Sequence, residues 1–207
     1  MSYQGDPYQT STSFSLFPPA IKHLLIINLL VFLALMTPGL ANYVFGLGAL
    51  WPLGHPNFMP WQFVSYMFLH GGFGHILFNL FALWMFGQSI ENLWGTRRFV
   101  IYYFVTGVGA ALLHMAVTAA DVPMVGASGA VYGILLAFAM MFPNRPIMLI
   151  FLPIPIKAKY FVMIFGALEL FNGVANLQTG IAHFAHLGGM VVGYLLIRLW
   201  GIKGNYE

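Results

Sequence analysis

Apolar residues run in long blocks along this chain, and turn residues and charges fall between the blocks rather than inside them. A helix needs ~20 residues to cross a bilayer, so these blocks predict spans near 22–38, 76–94, 98–118, 128–142, 159–176 and 183–201. Between the first two lies a long connection, residues 38–74, rich in Gly, Pro and aromatic side chains. It is too apolar for a solvated loop and is read as lying in the membrane interface, where Trp and Tyr prefer to sit. The first twenty residues are polar and carry no Lys or Arg, so they lack the basic start of a signal peptide. The expected organisation is a short cytoplasmic N-terminal tail (1–20), a six-helix domain (21–203) and a C-terminal tail (204–207).

Composition agrees with that pattern. Of the 207 residues 60% are apolar and 6% charged, against about a quarter charged in a soluble domain, which excludes a water-soluble single domain. Eight Lys/Arg against five Asp/Glu give a basic balance, but no basic face or tail collects them, and a nucleic-acid partner is set aside. With no cysteine there is no disulfide framework, no thiolate metal site and no Cys nucleophile.

The positive charges fix an expected orientation. Lys22 precedes the first span, Arg97 and Arg98 separate spans two and three, Arg145, Lys157 and Lys159 separate four and five, and Arg198 and Lys203 end the sixth. Six spans with both termini inside make all eight cytoplasmic, as the positive-inside rule requires. The loop before Ser128, the turn near Gly180 and the long interfacial connection then face the outer side, and the chemistry is sought there.

Ser128, in Gly126-Ala127-Ser128-Gly129, stands where an outer loop becomes span four. Free N–H groups at such a helix start favour a developing oxyanion, although the same sequence serves as an ordinary N-cap or packing motif. A Ser hydroxyl needs a base. Of the seven histidines, His186 lies one turn into span six, at a similar depth on the outer side, whereas His23, His55 and His114 are read as structural. Gly189 and Gly193 place two glycines on one face of span six, which permits close approach to span four. His183 shares the face of His186, so a metal site is weighed; no HExxH and no carboxylate cluster accompanies them, and no metal or other cofactor is expected. His75 and Asn79 fall on one face of span two at i, i+4. They are suited as neutral oxyanion donors, or as interhelical hydrogen-bonding residues.

Taken together, GASG at 126–129, AHLGGMVVG at 185–193, FLHGGFGHILFN at 68–79 and GQSIENLWG at 87–95 resemble the rhomboid intramembrane serine proteases over the whole six-helix length. The resemblance implies an all-α polytopic membrane protein, a six-transmembrane-helix rhomboid-like bundle. It implies Ser128 as nucleophile and His186 as general base in a dyad without an Asp, with Asn79, His75 and the Ser128 N–H as oxyanion hole. Tyr132 matches the tyrosine that stacks on the catalytic imidazole, Glu91 a carboxylate bracing the cytoplasmic end of span two, and His70 a structural histidine. Ring orientation must then come from packing, chiefly Tyr132. One departure is Trp61-Gln62, where many relatives carry Trp-Arg, which puts the anchoring of the first loop in question.

The implied activity is serine endopeptidase cleavage of single-pass or other transmembrane proteins near the outer face, through an acyl-enzyme, in contact with membrane lipid. The expected location is the bacterial cytoplasmic (inner) membrane. Lateral substrate entry past span five makes Phe161, Phe165 and Phe171 candidates for a gate. The alternatives are non-proteolytic: a His-based ion transporter, or a pseudoprotease-like binder of membrane clients.

Overall fold

The computed structural model describes residues 14–117, 122–149, 152–175 and 182–204. Its helices are α1 (Pro19–Leu35), α2 (Ala41–Gly48), α3 (Gln62–Ser65), α4 (Phe73–Trp94), α5 (Thr96–Val117), α6 (Ser128–Met141), α7 (Ala158–Val174) and α8 (His183–Leu199). Helices α1, α4, α5, α6, α7 and α8 coincide with the six anticipated segments, with ends moved by no more than three residues. Helices α4 and α5, at 22 residues each, are long and apolar enough to cross a membrane; α1, α6 and α8 are apolar but shorter. The tail segments 1–13 and 205–207 and the turn near Gly180 lie outside the described residues.

The fold is mostly helical, with one short strand pair that the all-α expectation did not include. Between α6 and α7, strands β1 (Pro146–Leu149) and β2 (Leu152–Lys157) pair antiparallel, with Pro146 opposite Lys157 and Ile147 opposite Ile156. Prolines at 153 and 155 deny this apolar run a helix, and the intervening Ile154 and Ile156 suit a strand. The interfacial connection is likewise partly helical, holding α2, α3 and a 3₁₀ turn at Tyr66–Phe68.

Apolar side chains cover much of the outside of the bundle as well as filling its core. Ile26, Leu29, Leu30 and Leu33 of α1, Leu77 and Phe78 of α4, and Met163, Ile164 and Leu168 of α7 face outward, while Asn28, Asn79, Glu91, Thr106, His183 and His186 are buried. Helix α6 sits in the middle, touching α4, α5, α7 and α8. Its small residues let neighbours close in. The carbonyl of Gly129 occupies the place where a Cβ on Gly189 of α8 would stand, so these two helices meet backbone to backbone. The expectation that Gly193 also faces span four is corrected: a Cβ there would strike the Tyr102 hydroxyl of α5. Because α8 lies in the groove between α5 and α6, residues four apart on one of its faces meet different neighbours.

One end of the bundle collects the basic residues. Glu91, buried near the end of α4, accepts from the backbone N–H groups of Ala20 (2.8 Å) and Ile21 (2.9 Å) and from Thr96 Oγ1 (2.7 Å). It therefore supplies the acceptors that the first turn of α1 lacks and ties α1, α4 and α5 together. Gly95, at φ 80, makes the one-residue turn between α4 and α5 that a Cβ would strain. Arg145 lies over Phe142 (4.2 Å) and reaches Ser89 Oγ (3.4 Å), and Trp200 packs edge-on against Trp94, bringing the starts of β1 and the end of α8 to the same side.

Candidate active site

The opposite end is organised by the interfacial connection. Leu50 and Met124 exchange backbone hydrogen bonds (3.0 and 2.9 Å), and the Gly126 N–H donates to the Tyr66 carbonyl (2.9 Å). Tyr66 is itself fixed, its hydroxyl donating to the Gly107 carbonyl of α5 at 2.7 Å. The loop entering α6 is thus held on both sides. Gly126 is required there twice over: its φ is 121°, and a Cβ would stand 2.7 Å from His75 Nε2.

Ser128 is the first residue of α6, and Ala127 occupies the N-cap without a side-chain bond, so the serine hydroxyl is not spent on capping. Instead Ser128 Oγ lies 2.8 Å from His186 Nε2 on α8. Tyr132, one turn along α6, stacks on the His186 ring with centroids 4.3 Å apart and planes 5° from parallel. His75 Nδ1 accepts from the Gly71 N–H (3.3 Å), which leaves the proton of the neutral ring on Nε2, the nitrogen facing Gly126. Ser128 Oγ is 3.8 Å from that same Gly126 Cβ position, so the hydroxyl and His75 Nε2 border one small space. Asn79 is buried, its Nδ2 donating to the His75 carbonyl (2.8 Å) while its Oδ1 has no hydrogen-bond partner among the described residues. One N–H of that amide remains for a further acceptor.

His70 packs edge-on against His75 with ring centroids 5.0 Å apart. Burial, and then the neighbouring His75 ring, push it down to about 4, so it is neutral near pH 7. Gln62, the departure at the first loop, is fully buried and fully used. Its Oε1 accepts from Trp51 N (3.3 Å) and Met59 N (3.1 Å), and its Nε2 donates to the carbonyls of Asn57 (2.9 Å) and Leu47 (3.3 Å). Of the gate candidates, Phe161 is buried and stacks on Phe165 (4.4 Å) toward Phe86, whereas Phe171 faces outward.

The reading of an unaided dyad is corrected by Glu169 of α7. Its Oε2 accepts from His183 Nδ1 at 2.6 Å and lies 3.0 Å from His186 Nδ1, at ion-pair distance but without the alignment of a hydrogen bond. Its Oε1 accepts from the Tyr132 hydroxyl. The carboxylate that the sequence around the histidines lacks is therefore delivered from another helix. Ligand atoms of Glu169, His183 and His186 lie within 4.8 Å of one another, close enough to hold a metal ion. The signal lies in the sequence: a lone carboxylate within an apolar run that is read as a membrane span is a functional candidate by its cost alone.

A bundle that faces lipid-compatible side chains outward and gathers its polar ones inside is an integral membrane protein. Residues 57–202 match the Rhomboid domain, and the chain belongs to the rhomboid family. It is 34% identical over 155 residues to the Rhomboid-like protein 11, chloroplastic, of Arabidopsis thaliana, covering 69% of this chain and 54% of that protein. Rhomboid protein 1, mitochondrial, of Saccharomyces cerevisiae is 33% identical over 135 residues, covering 62% of this chain and 38% of that one. The Putative rhomboid protease YdcA of Bacillus subtilis is 29% identical over 146 residues, covering 70% and 69%. The chain spans about half or less of the first two of these relatives.

Proposed function

We propose that this chain is an intramembrane serine endopeptidase, with six membrane spans, both termini cytoplasmic and the site open to the outer side. The carrying observation is the 2.8 Å contact between Ser128 Oγ and His186 Nε2 at the end of the bundle away from the basic residues. Ser128 Oγ attacks a scissile carbonyl while His186 Nε2 takes its proton. The oxyanion forms beside Asn79 Nδ2, His75 Nε2 and the Ser128 N–H, donors of the kind that stabilise charge appearing only in the transition state. His186 then protonates the leaving amine, and water, deprotonated by His186, releases the acyl group from Ser128. Tyr132 holds the imidazole plane by stacking, and Gly189 and Gly193 let α8 come close enough to α6 and α5 to present it.

Substrates on this reading are membrane-anchored proteins. Unwinding a helix in lipid leaves polar groups unpaired, so segments with Gly, Pro or other weak helix formers near their outer end are preferred. The positive-inside rule places the eight Lys/Arg in the cytoplasm, which suits a bacterial cytoplasmic membrane.

A second reading is favoured by one observation, the compact Glu169, His183 and His186 set: an ion-binding, non-proteolytic membrane protein. It gives no task to Ser128 against the far nitrogen of His186. One experiment separates them. Detergent-solubilised protein is incubated with single-pass segments and, separately, with a fluorophosphonate, using Ser128→Ala as control, and its metal content is measured. Cleavage and covalent labelling that vanish in the control support the protease; a stoichiometric ion without labelling supports the alternative.

A further inference from the structure

Glu169 stands among outward-facing neighbours, Leu168, Leu170 and Phe171, and alone turns into the bundle. A carboxylate in that position is expensive unless it is paired, and the mechanism above leaves it idle. Its contacts among the described residues end on His186, on Tyr132, whose ring covers His186, and on His183, one turn before it. One oxygen takes the hydroxyl of Tyr132, whose ring covers the imidazole; the other takes His183 Nδ1 at 2.6 Å and stands 3.0 Å from His186 Nδ1.

We infer that Glu169 is a positioning residue for His186: its carboxylate holds the imidazole in the Nδ1–H tautomer and balances the imidazolium formed when Ser128 is deprotonated, with His183 and Tyr132 clamping the carboxylate in place. The inference rests on the serine-protease reading of the site. A base that accepts at Nε2 must carry its resting proton at Nδ1, and the two neutral tautomers are not otherwise strongly distinguished. A carboxylate beside Nδ1 selects the productive one. Attraction between the carboxylate and the imidazolium depends on distance far more than on alignment, so a contact off the hydrogen-bond axis still serves the charged state. The bland alternative is a staple: Glu169 joins α7 to Tyr132 of α6 and His183 of α8, and such a knot stabilises the bundle whatever the chemistry.

Two variants separate these roles. Glu169→Gln keeps the size and an acceptor oxygen but removes the charge, and Glu169→Leu removes every polar contact at similar volume. The expected result is a fall in kcat of about a hundred-fold in both, with KM within about twofold, since the lost interaction grows only as the imidazolium forms. The imidazole ¹⁵N resonances of His186, assigned by difference against His186→Ala in ¹⁵N-histidine-labelled protein, should report Nδ1–H in the wild type. They should report a mixture with Nε2–H in Glu169→Leu. Unchanged kcat in Glu169→Gln together with an unmoved tautomer in Glu169→Leu overturns the inference, whatever happens to melting temperature. If Glu169→Leu does not fold, the kcat and KM of Glu169→Gln decide alone. Failure of the wild type to take a fluorophosphonate at Ser128 overturns the protease reading, whereas the tautomer measurement needs no proteolysis and judges the role of Glu169 in setting the ring separately.

Discussion

Gly189 of α8 lies so close to Gly129 of α6 that a single methyl group on it would overlap the Gly129 carbonyl, and both atoms in the way are backbone. Backbone cannot swing aside as a side chain does. Gly189→Ala should therefore separate α8 from α6, lower the melting temperature and abolish activity, because Ser128 rides on one helix and His186 on the other. Gly193→Ala meets the Tyr102 hydroxyl instead, which donates to the Gly133 carbonyl at 2.8 Å. That contact yields at the cost of one hydrogen bond, so this variant should lose about 1–2 kcal/mol of stability and keep measurable cleavage. Thermal melting and cleavage assayed on the same preparations check the order; equal damage from the two would show that the two faces are equivalent.

Ser128→Ala and His186→Ala should each abolish cleavage, and the double variant should be no worse than either, because members of one catalytic unit are grossly non-additive. Appreciable turnover by Ser128→Ala removes the serine mechanism. Chelators are expected to leave the rate unchanged; inhibition by a chelator that a specific ion reverses would revive the ion-binding reading of Glu169, His183 and His186.

Asn79 carries a sharper test, since its buried Oδ1, without a partner among the described residues, and its bond to the His75 carbonyl one turn back on the same helix fit either a purely structural residue or a donor waiting for charge. As an oxyanion donor it contributes only in the transition state, and Asn79→Ala should lower kcat by about a hundred- to a thousand-fold with little change in KM or melting. As a purely structural residue it loses one hydrogen bond within α4, which should cost about 0.5–1.5 kcal/mol of stability and leave kcat near normal. His75→Ala should behave like Asn79→Ala but more mildly. A normal rate of fluorophosphonate labelling in Asn79→Ala would take Asn79 out of the site.

Gln62 answers the question raised by its departure from the family's usual arginine. It accepts two backbone N–H groups and donates to two carbonyls, a task that needs both a donor and an acceptor, and a guanidinium has no acceptor. Gln62→Arg, nominally a return to the commoner residue, should destabilise the protein by about 1–3 kcal/mol by stranding the N–H groups of Trp51 and Met59. Stability equal to or above that of the wild type would mean that the loop re-forms around the longer side chain.

What the sequence determined by itself is what depends on composition and local spacing. The six apolar blocks appear as α1, α4, α5, α6, α7 and α8 because helix-forming apolar runs need no distant partner to declare themselves, and the basic residues gather at one end because they interrupt those runs in a fixed rhythm. Ser128 and His186, which the fold brings into contact, both stand out in the linear string: a helix start after small residues, and an ionisable side chain near the start of an apolar helix. Glu91 was legible only as a brace, without its atoms. Only the tertiary structure shows that it closes the open N–H groups of α1, 70 and 71 residues away in the chain. Glu169, which stands 17 residues before His186, has outward-facing neighbours, and nothing in a linear string says which way one side chain of α7 turns. The partner of Gly193 and the four bonds of Gln62 share that cause. Each depends on which backbone approaches from elsewhere, and helix packing decides that after the local pattern has done all it can.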